Sequence, residues 1–557
     1  MVVTLEAAKE KVDEMVRLVV AHPTVRKQVA YFKYRFATVT SGLKDIYRHH
    51  RLPLIFAAVA LFSFVGTSVY VIGLSQTHIE ALGPAQRSVL QYHVDESPDD
   101  SASVPSLGVG VAPQFEDEGS RRRSFLQSEL GRRLQNIIIR LEREKENITD
   151  IYHQMDIERR CLRRAIVNWG NVDNLKKGLK TVIKTGRSFR IGIMGGSVSV
   201  VNIYPKVLQT SLQRILSERV DVLNAAIGAT DSQYFAYCLK NHLNVNQLDL
   251  ILWEFAVNDY LKGVSPSAQE EITRELLEVP ARPQLLYVNF LYGTQISQGS
   301  CDNSEDVGGR ELSFHYNVPS VSLKEAVCPK VKAKKAKDLV AGDNKNHLSS
   351  KAHLLMELFL RHFMVNVITN VTWEMLDESV HPDKYRLADV DSDEPPPLPQ
   401  PLFADTRITR PRCWSALLPQ HSLSEYLWPI RAAVGWNKVT VDTNSPDHKQ
   451  VWVGNLNGSV IRFPIEIEPY RNLTSKIAVS TFTCNECGAV RVIVDNDFAR
   501  AATVYGKSKF RVTWPTVVAT DIPPGSHNIT IKCLSDDPFQ LAAITTAYDI
   551  TAPVGFF

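Results

Sequence analysis

Residues 189–199 read Phe-Arg-Ile-Gly-Ile-Met-Gly-Gly-Ser-Val-Ser. The run to Met194 is almost continuously apolar, as a strand covered on both faces must be. The Gly-Gly-Ser after it is a tight exit that leaves a hydroxyl side chain at the strand tip. Working outward, the pattern repeats. VDVLNAAIG from 220, LDLILWEFAVND from 248 and PQLLYVNF from 283 read as further buried strands, with 205–217, 231–242 and 266–277 as the helices between them. Strands alternating with helices predict a three-layer α/β/α domain around a short parallel sheet. Such sheets bind ligands at the carboxyl ends of their strands, which directs attention to the residues just after each strand.

This domain is expected over 186–390, closed by a helix from Ser349 to about Asn366. A Pro-rich linker follows at 391–402. Residues 403–557 carry short alternating segments such as KQVWVGN, VIRFPIEI and AVRVIVDN, broken by Gly, Pro and Asn, and predict an all-β sandwich. On the other side, 121–185 has a helical period with dense charge and reads as a stem. It is a candidate for pairing between copies, with too few heptads to set an oligomer. Residues 75–120 read as a flexible linker, because their Ser, Asp, Pro and Gly cannot bury enough apolar surface to fold.

Leu52–Leu74 contains no charged residue. At about 1.5 Å per residue it reaches roughly 34 Å, enough for a hydrocarbon core of about 30 Å. It is read as a transmembrane signal anchor, being too long and too far into the chain for a cleaved signal peptide. Lys44, Arg48 and Arg51 precede it, so residues 1–51 form a cytosolic tail and the rest faces the secretory lumen or the exterior. All eight cysteines lie beyond the span, as do sequons at Asn147, Asn370, Asn457, Asn472 and Asn528. Disulfides are expected there. Cys301 with Cys328 is one plausible pair, and the Cys484–Cys487 motif reads as structural, with no second ligand pair at metal-binding spacing.

The charge balance, 63 basic against 60 acidic residues, does not indicate a nucleic-acid binder. The Lys-rich run 330–337 reads as a solvated loop.

Three strand ends carry the chemistry: Met194-Gly-Gly-Ser197-Val-Ser199, Asn224-Ala-Ala-Ile-Gly228-Ala229-Thr230 and Glu254-Phe-Ala-Val-Asn258-Asp259. Together they resemble the blocks of the SGNH (GDSL-type) hydrolase superfamily. The Glu-Phe-Ala-Val-Asn-Asp wording is close to a eukaryotic branch that also uses Gly-Gly-Ser, and His315-Tyr-Asn-Val-Pro-Ser-Val-Ser-Leu323 looks like that branch's next strand. The resemblance covers roughly 186–368, and this branch often carries a fused β domain.

The resemblance implies Ser197 as nucleophile, with an oxyanion hole formed by the Ser197 N–H, the N–H at the second block and the Asn258 amide. Such donors are aimed at the charge of a tetrahedral intermediate, and one can be worth about 3 kcal/mol. The second-block Gly falls on Ala229, whose N–H serves if its φ stays negative; otherwise Gly228 would take over after a small shift. Two segments compete for the base. Asp343-Asn344-Lys-Asn-His347-Leu348-Ser-Ser-Lys-Ala-His353 leads into the last helix, which favours His347. Glu378-Ser-Val-His381-Pro382 is the alternative, with Glu378 as its acid. For His347 the family's Asp position holds Asn344, so Asp343 is the candidate acid. His353 is read as packing or capping within its helix, and His315 and His362 as surface or satisfied histidines.

The implied reaction is hydrolysis or transfer of an acyl ester, with O-acetyl on a glycan suggested by a layout like that of Golgi glycan-modifying enzymes. No metal or organic cofactor is called for. An inactive glycan-binding relative is the rival reading, because Ala229, Asn344 and Leu348 depart from the pattern. A membrane-tethered scaffold is the third.

Overall fold

The computed structural model describes residues 118–155, 157–341, 347–382, 397–403, 410–417, 430–441 and 449–548. The tail, the membrane segment, most of the first linker and the candidate acid Asp343 lie outside the described residues. In chain order the α/β domain runs α1 (Glu118–Gln127), α2 (Glu129–Gln154), α3 (Arg159–Ala165), β1 (Ile166–Asn168), α4 (Asp173–Thr185), β2 (Phe189–Gly195), α5 (Ser197–Val200), α6 (Ile203–Leu216), β3 (Val220–Asn224), α7 (Ser232–His242), β4 (Leu250–Glu254), α8 (Ala256–Lys262), α9 (Pro266–Leu277), β5 (Gln284–Asn289), α10 (Gly293–Gln298), α11 (Gly309–His315), β6 (Ser320–Ser322), α12 (Leu323–Lys332) and α13 (Ser350–Val380).

The sheet order is β1-β6-β5-β4-β2-β3. It is parallel except for β1, which pairs antiparallel with β6. Side chains alternate between two cores, the period-2 signature of a sheet covered on both faces. Ile191, Ile193, Leu250, Leu252, Leu286 and Val288 point to the layer of α2, α4, α6 and α13. Met194, Ile251, Trp253, Leu285 and Tyr287 point to α7 and α9. The chain leaves β2 toward β3 and leaves β4 toward β5, in opposite directions. The crevice of such a sheet therefore opens at the C-terminal ends of β2 and β4.

Two expectations change. The segment read as a stem is part of the α/β domain. Leu134, Ile137, Leu141 and Ile148 of α2 form an apolar stripe buried in the domain core. The charge that disguised this stripe is partly internal. Glu144, 3 % exposed, bonds Arg361 of α13 at 2.6 Å and faces Arg214 of α6 at 3.3 Å. The face expected to pair copies is thus spent inside one chain. The closing helix also continues past Asn366 to Val380 and is mostly buried, so its apolar length is that of a core helix.

The second domain is the expected sandwich. Strands β7 (Arg412–Ser415), β8 (Ala432–Val434), β9 (Trp436–Thr440), β10 (Gln450–Gly454), β11 (Val460–Ile467), β12 (Ser475–Phe482), β13 (Ala489–Val494), β14 (Ala502–Tyr505), β15 (Thr513–Ile522), β16 (Gly525–Cys533) and β17 (Phe539–Tyr548) form two antiparallel sheets. Ile461, Phe463, Ile477, Val479, Ile529 and Ile531 fill the space between them. The sandwich packs on the α7 face. Cys413, Val451, Phe482 and Ala542 share a core with Tyr234 and Phe235, and a disulfide joins Cys238 of α7 to Cys413 of β7. The end of the Pro-rich linker is anchored on α9, where Glu270 accepts from the Phe403 N–H at 2.9 Å and Arg274 donates to the Pro399 carbonyl at 2.6 Å. Cys301 bonds Cys328 as expected, Cys484 bonds Cys487, and Cys161 and Cys533 are buried thiols.

Four sequon residues, Asn370, Asn457, Asn472 and Asn528, are exposed. Asn147 is half-buried on α2, its amide donating to Glu144 at 3.0 Å, so the ion network competes for the group a glycan would need.

Candidate functional site

Ser197 is the first residue of α5, half-buried directly beyond the C-terminal end of β2. Gly196 has φ −93°, which any residue adopts. Crowding, not backbone freedom, demands its glycine. A Cβ there would sit 2.2 Å from Asn258 Nδ2, and one on Gly195 would sit 2.7 Å from the Glu254 carbonyl and 2.9 Å from Ser199 Oγ. The Asn258 carboxamide therefore lies flat against the residue preceding Ser197. The helix that follows is only four residues long, so its dipole contributes little at this turn.

The β3 exit closes against the same place. Ile227 N–H donates to the Gly195 carbonyl, and Thr230 N–H to the Ile227 carbonyl, forming a turn whose third residue is Ala229. Ala229 has φ +64°. The negative φ on which the use of its N–H is conditional does not occur, which is the case that leaves Gly228 as the alternative donor. The chain places an alanine in the left-handed region at a cost of about 1–3 kcal/mol. Its N–H donates to no group among the described residues. Asn258 donates to the Thr230 carbonyl, which binds the β4 exit to this turn. Ser197, Ala229 and Asn258 thus gather at three adjacent strand ends, although Asn258 spends one N–H on Thr230.

Beneath the turn lies a buried polar chain that sequence reasoning overlooked. Ser199 Oγ donates to Glu254 Oε2 at 3.0 Å and meets the Tyr204 hydroxyl at 2.8 Å. Asn224 donates to the Ser199 carbonyl at 2.9 Å and accepts from the Ala226 N–H at 3.0 Å. Burial pushes the Glu254 carboxyl up to about 8, with the Ser199 hydroxyl and the Gly196 N–H pulling the other way. Burial, then the charge of Asp231, pushes Asp259 up to about 7. The signal for Glu254 was in the sequence, as an acid ending a wholly apolar strand.

The histidines are less gathered. His347 is exposed just before α13. No hydrogen bond joins Ser197 Oγ to a histidine among the described residues. His353, one turn into α13, is buried against Tyr204 and Phe290, with ring centroids 6.2 and 5.6 Å away. Burial and then neighbouring His347 push it down to about 4, so it is neutral at physiological pH. Its Nδ1 is buried without a partner. His381 caps the far end of α13, about 45 Å along the helix axis from Ser350 at ~1.5 Å per residue. There it bonds Asp377 at 3.0 Å, while Glu378 pairs with Lys180 of α4. Helix α4 ends where β2 begins, so the alternative base and acid lie toward the N-terminal ends of the strands, away from Ser197 at the C-terminal end of β2. Among the described residues no cluster of His, Cys, Asp and Glu is arranged to hold a metal.

No family model matches the sequence, and no curated protein matches it. Among solved structures the chain is similar to a two-domain esterase active on acetylated mannans, at 19% identity and a TM-score of 0.49, over 70% of this chain and 98% of that one. It is similar over 26% of its length to a family two carbohydrate esterase from Cellvibrio japonicus, at 14% identity and a TM-score of 0.18, covering 36% of that chain. Another 26% match is the CBM36-1 domain of a multidomain xylanase from the hindgut metagenome of Trinervitermes trinervoides, at 6% identity and a TM-score of 0.18, covering all of that domain. These are distant likenesses of fold.

Proposed function

We propose that the chain is a serine esterase or acyltransferase of the SGNH type, acting on an acyl ester carried by a glycan. The observation that carries the reading is the packing of Asn258 against Gly196, which sets a carboxamide beside Ser197 and the Ala229 turn at the crevice of the sheet. An exposed histidine at the head of α13 supports His347 as the base. Ser197 would lose its proton to His347 and attack the carbonyl; as the ester C–O bond breaks, His347 would return that proton to the departing hydroxyl, leaving an acyl-serine. The N–H groups of Ser197 and Ala229 and the free N–H of Asn258 would receive the oxyanion, and water or a sugar hydroxyl would take the acyl group. Asp343, four residues before His347 in sequence, is the proposed orienting acid.

The glycan part of the proposal rests on the setting. Phe510 and Trp514, both exposed, flank Thr513, whose N–H donates to the Ala229 carbonyl. Flat apolar faces near Thr513 in sequence, the residue that bonds the Ala229 turn, suit the faces of sugar rings. Three disulfides and four exposed sequons support a non-cytosolic compartment, and Leu52–Leu74 would anchor the chain in its membrane.

A second reading has its own observation. Among the described residues Ser197 has no hydrogen bond to a histidine, and Asn258 is engaged by Thr230, as in a domain that binds glycans without cleaving them. A fluorophosphonate probe separates the two. Labelling of the wild type that is lost in Ser197→Ala and His347→Ala supports the esterase. A folded wild type that stays unlabelled supports the binding module.

A further inference from the structure

Ala229 keeps its left-handed backbone under a specific clamp. Its carbonyl accepts from the Thr513 N–H of β15 at 2.8 Å and from Lys262 Nζ at 2.9 Å. Lys262 is itself fixed: its Nζ lies 2.8 Å from Asp231 Oδ2 and donates to the Thr513 carbonyl at 3.1 Å. The Lys262 side chain is 4 % exposed and that of Asp231 is fully buried. Asp231 also caps α7, accepting from the Tyr234 N–H at 2.8 Å. An ion pair this deep cannot swing away from its partner without leaving a charge unpaired in the interior.

A glycine would sit at positive φ without help, whereas an alanine there relaxes toward negative φ unless its surroundings over-determine it. That relaxation would rotate the peptide planes on both sides of Ala229 and re-aim its N–H. A carbonyl gripped by two donors resists the rotation. We infer that Lys262 and Thr513 are positioning residues that hold the Ala229 N–H toward the reacting carbonyl, so that the β-sandwich completes the acyl-transfer site. The inference rests on the esterase reading. It also explains how a chain with alanine at this turn retains a donor where glycine would be expected, since the second domain supplies the restraint that the side chain makes necessary.

The test is a cycle on the full-length protein with p-nitrophenyl acetate and the fluorophosphonate probe. Lys262→Met removes one donor. Thr513→Pro removes the other at the first residue of β15, a position that tolerates proline, and leaves the ion pair alone, which guards against a Lys262→Met variant that fails to fold. Each is measured alone and with Ala229→Gly. The expected result is a loss of about 10- to 100-fold in kcat for each single variant, the size of a displaced oxyanion donor, with KM changed less than about twofold. In the Ala229→Gly background the same substitutions should cost less than about threefold. Equal losses in both backgrounds would overturn the clamp and leave the esterase standing. A folded wild type that neither labels nor turns over would remove the esterase reading and the clamp's catalytic role with it.

Discussion

Asn258 occupies the space that a side chain on Gly196 would need, its Nδ2 lying 2.2 Å from the position of a Cβ there. The two residues come from different strand ends and can keep this distance only while position 196 is glycine. Gly196→Ala should therefore push the carboxamide off its place beside Ser197. Probe labelling should fall about 100-fold, as for loss of one oxyanion donor, and thermal stability should drop by the ~1–3 kcal/mol typical of overpacking. A variant that labels normally would show that Asn258 has no part in the chemistry.

The two histidine segments predict opposite outcomes. His381→Ala removes an exposed ring at the far end of α13 and should leave labelling within about twofold of wild type, with a stability change inside ±0.5 kcal/mol. His347→Ala should abolish labelling. Mass spectrometry of the labelled peptide would read both variants in one experiment.

Glu254 gives a pH signature. Its carboxyl is raised from 4.5 to about 8 by burial, so the folded state holds the proton more tightly than the unfolded chain does. The stabilisation is complete below about pH 4.5 and is lost as pH rises through about 8. Asp259, raised to about 7, acts in the same direction. Unfolding midpoints measured from pH 5 to 9 should decline. Glu254→Gln, which keeps the shape and removes the charge, should flatten the upper part of that decline. An unchanged slope would place the titration elsewhere.

The integration of α2 makes a prediction about where the domain begins. A chain starting at residue 186 would expose the core that Leu134, Leu141 and Ile148 cover and leave Arg361 without Glu144. It should be insoluble, while one starting at 118 should fold. Glu144→Gln alone should cost about 3–5 kcal/mol, the usual penalty for half of a buried pair, read from urea unfolding.

The central strands were legible because burial on both faces leaves almost no polar residue, as in LILWE of β4. The sandwich was legible from alternation such as VIRFPIEI, whose burial alternates residue by residue. The end of the closing helix was not legible, because α13 is buried round most of its circumference and so lacks a clean amphipathic period. The stem was misread for a related reason. Glu144 looks solvated until Arg361, 217 residues away, is brought beside it. At the site, Ser197, Ala229 and Asn258 could be named from their motifs. What the motifs could not supply was the sign of φ at Ala229, since that depends on Lys262 and on Thr513 from another domain.

The Cys238–Cys413 bond closes a covalent ring through the chain, with a sequence separation of 175. Asn258 and His347 lie on the ring, whereas Ser197 and Ala229 precede it and Thr513 follows it. The proposed site is therefore laced from three stretches of chain that a single bond separates. A polymer-entropy estimate gives such a closure about 5 kcal/mol. In biosynthesis the ring cannot close until the first strand of the sandwich has emerged. Completion of the site is thereby tied to the oxidising chemistry that makes the bond, and reduction of that one cystine would loosen the hold of the sandwich on the Ala229 turn.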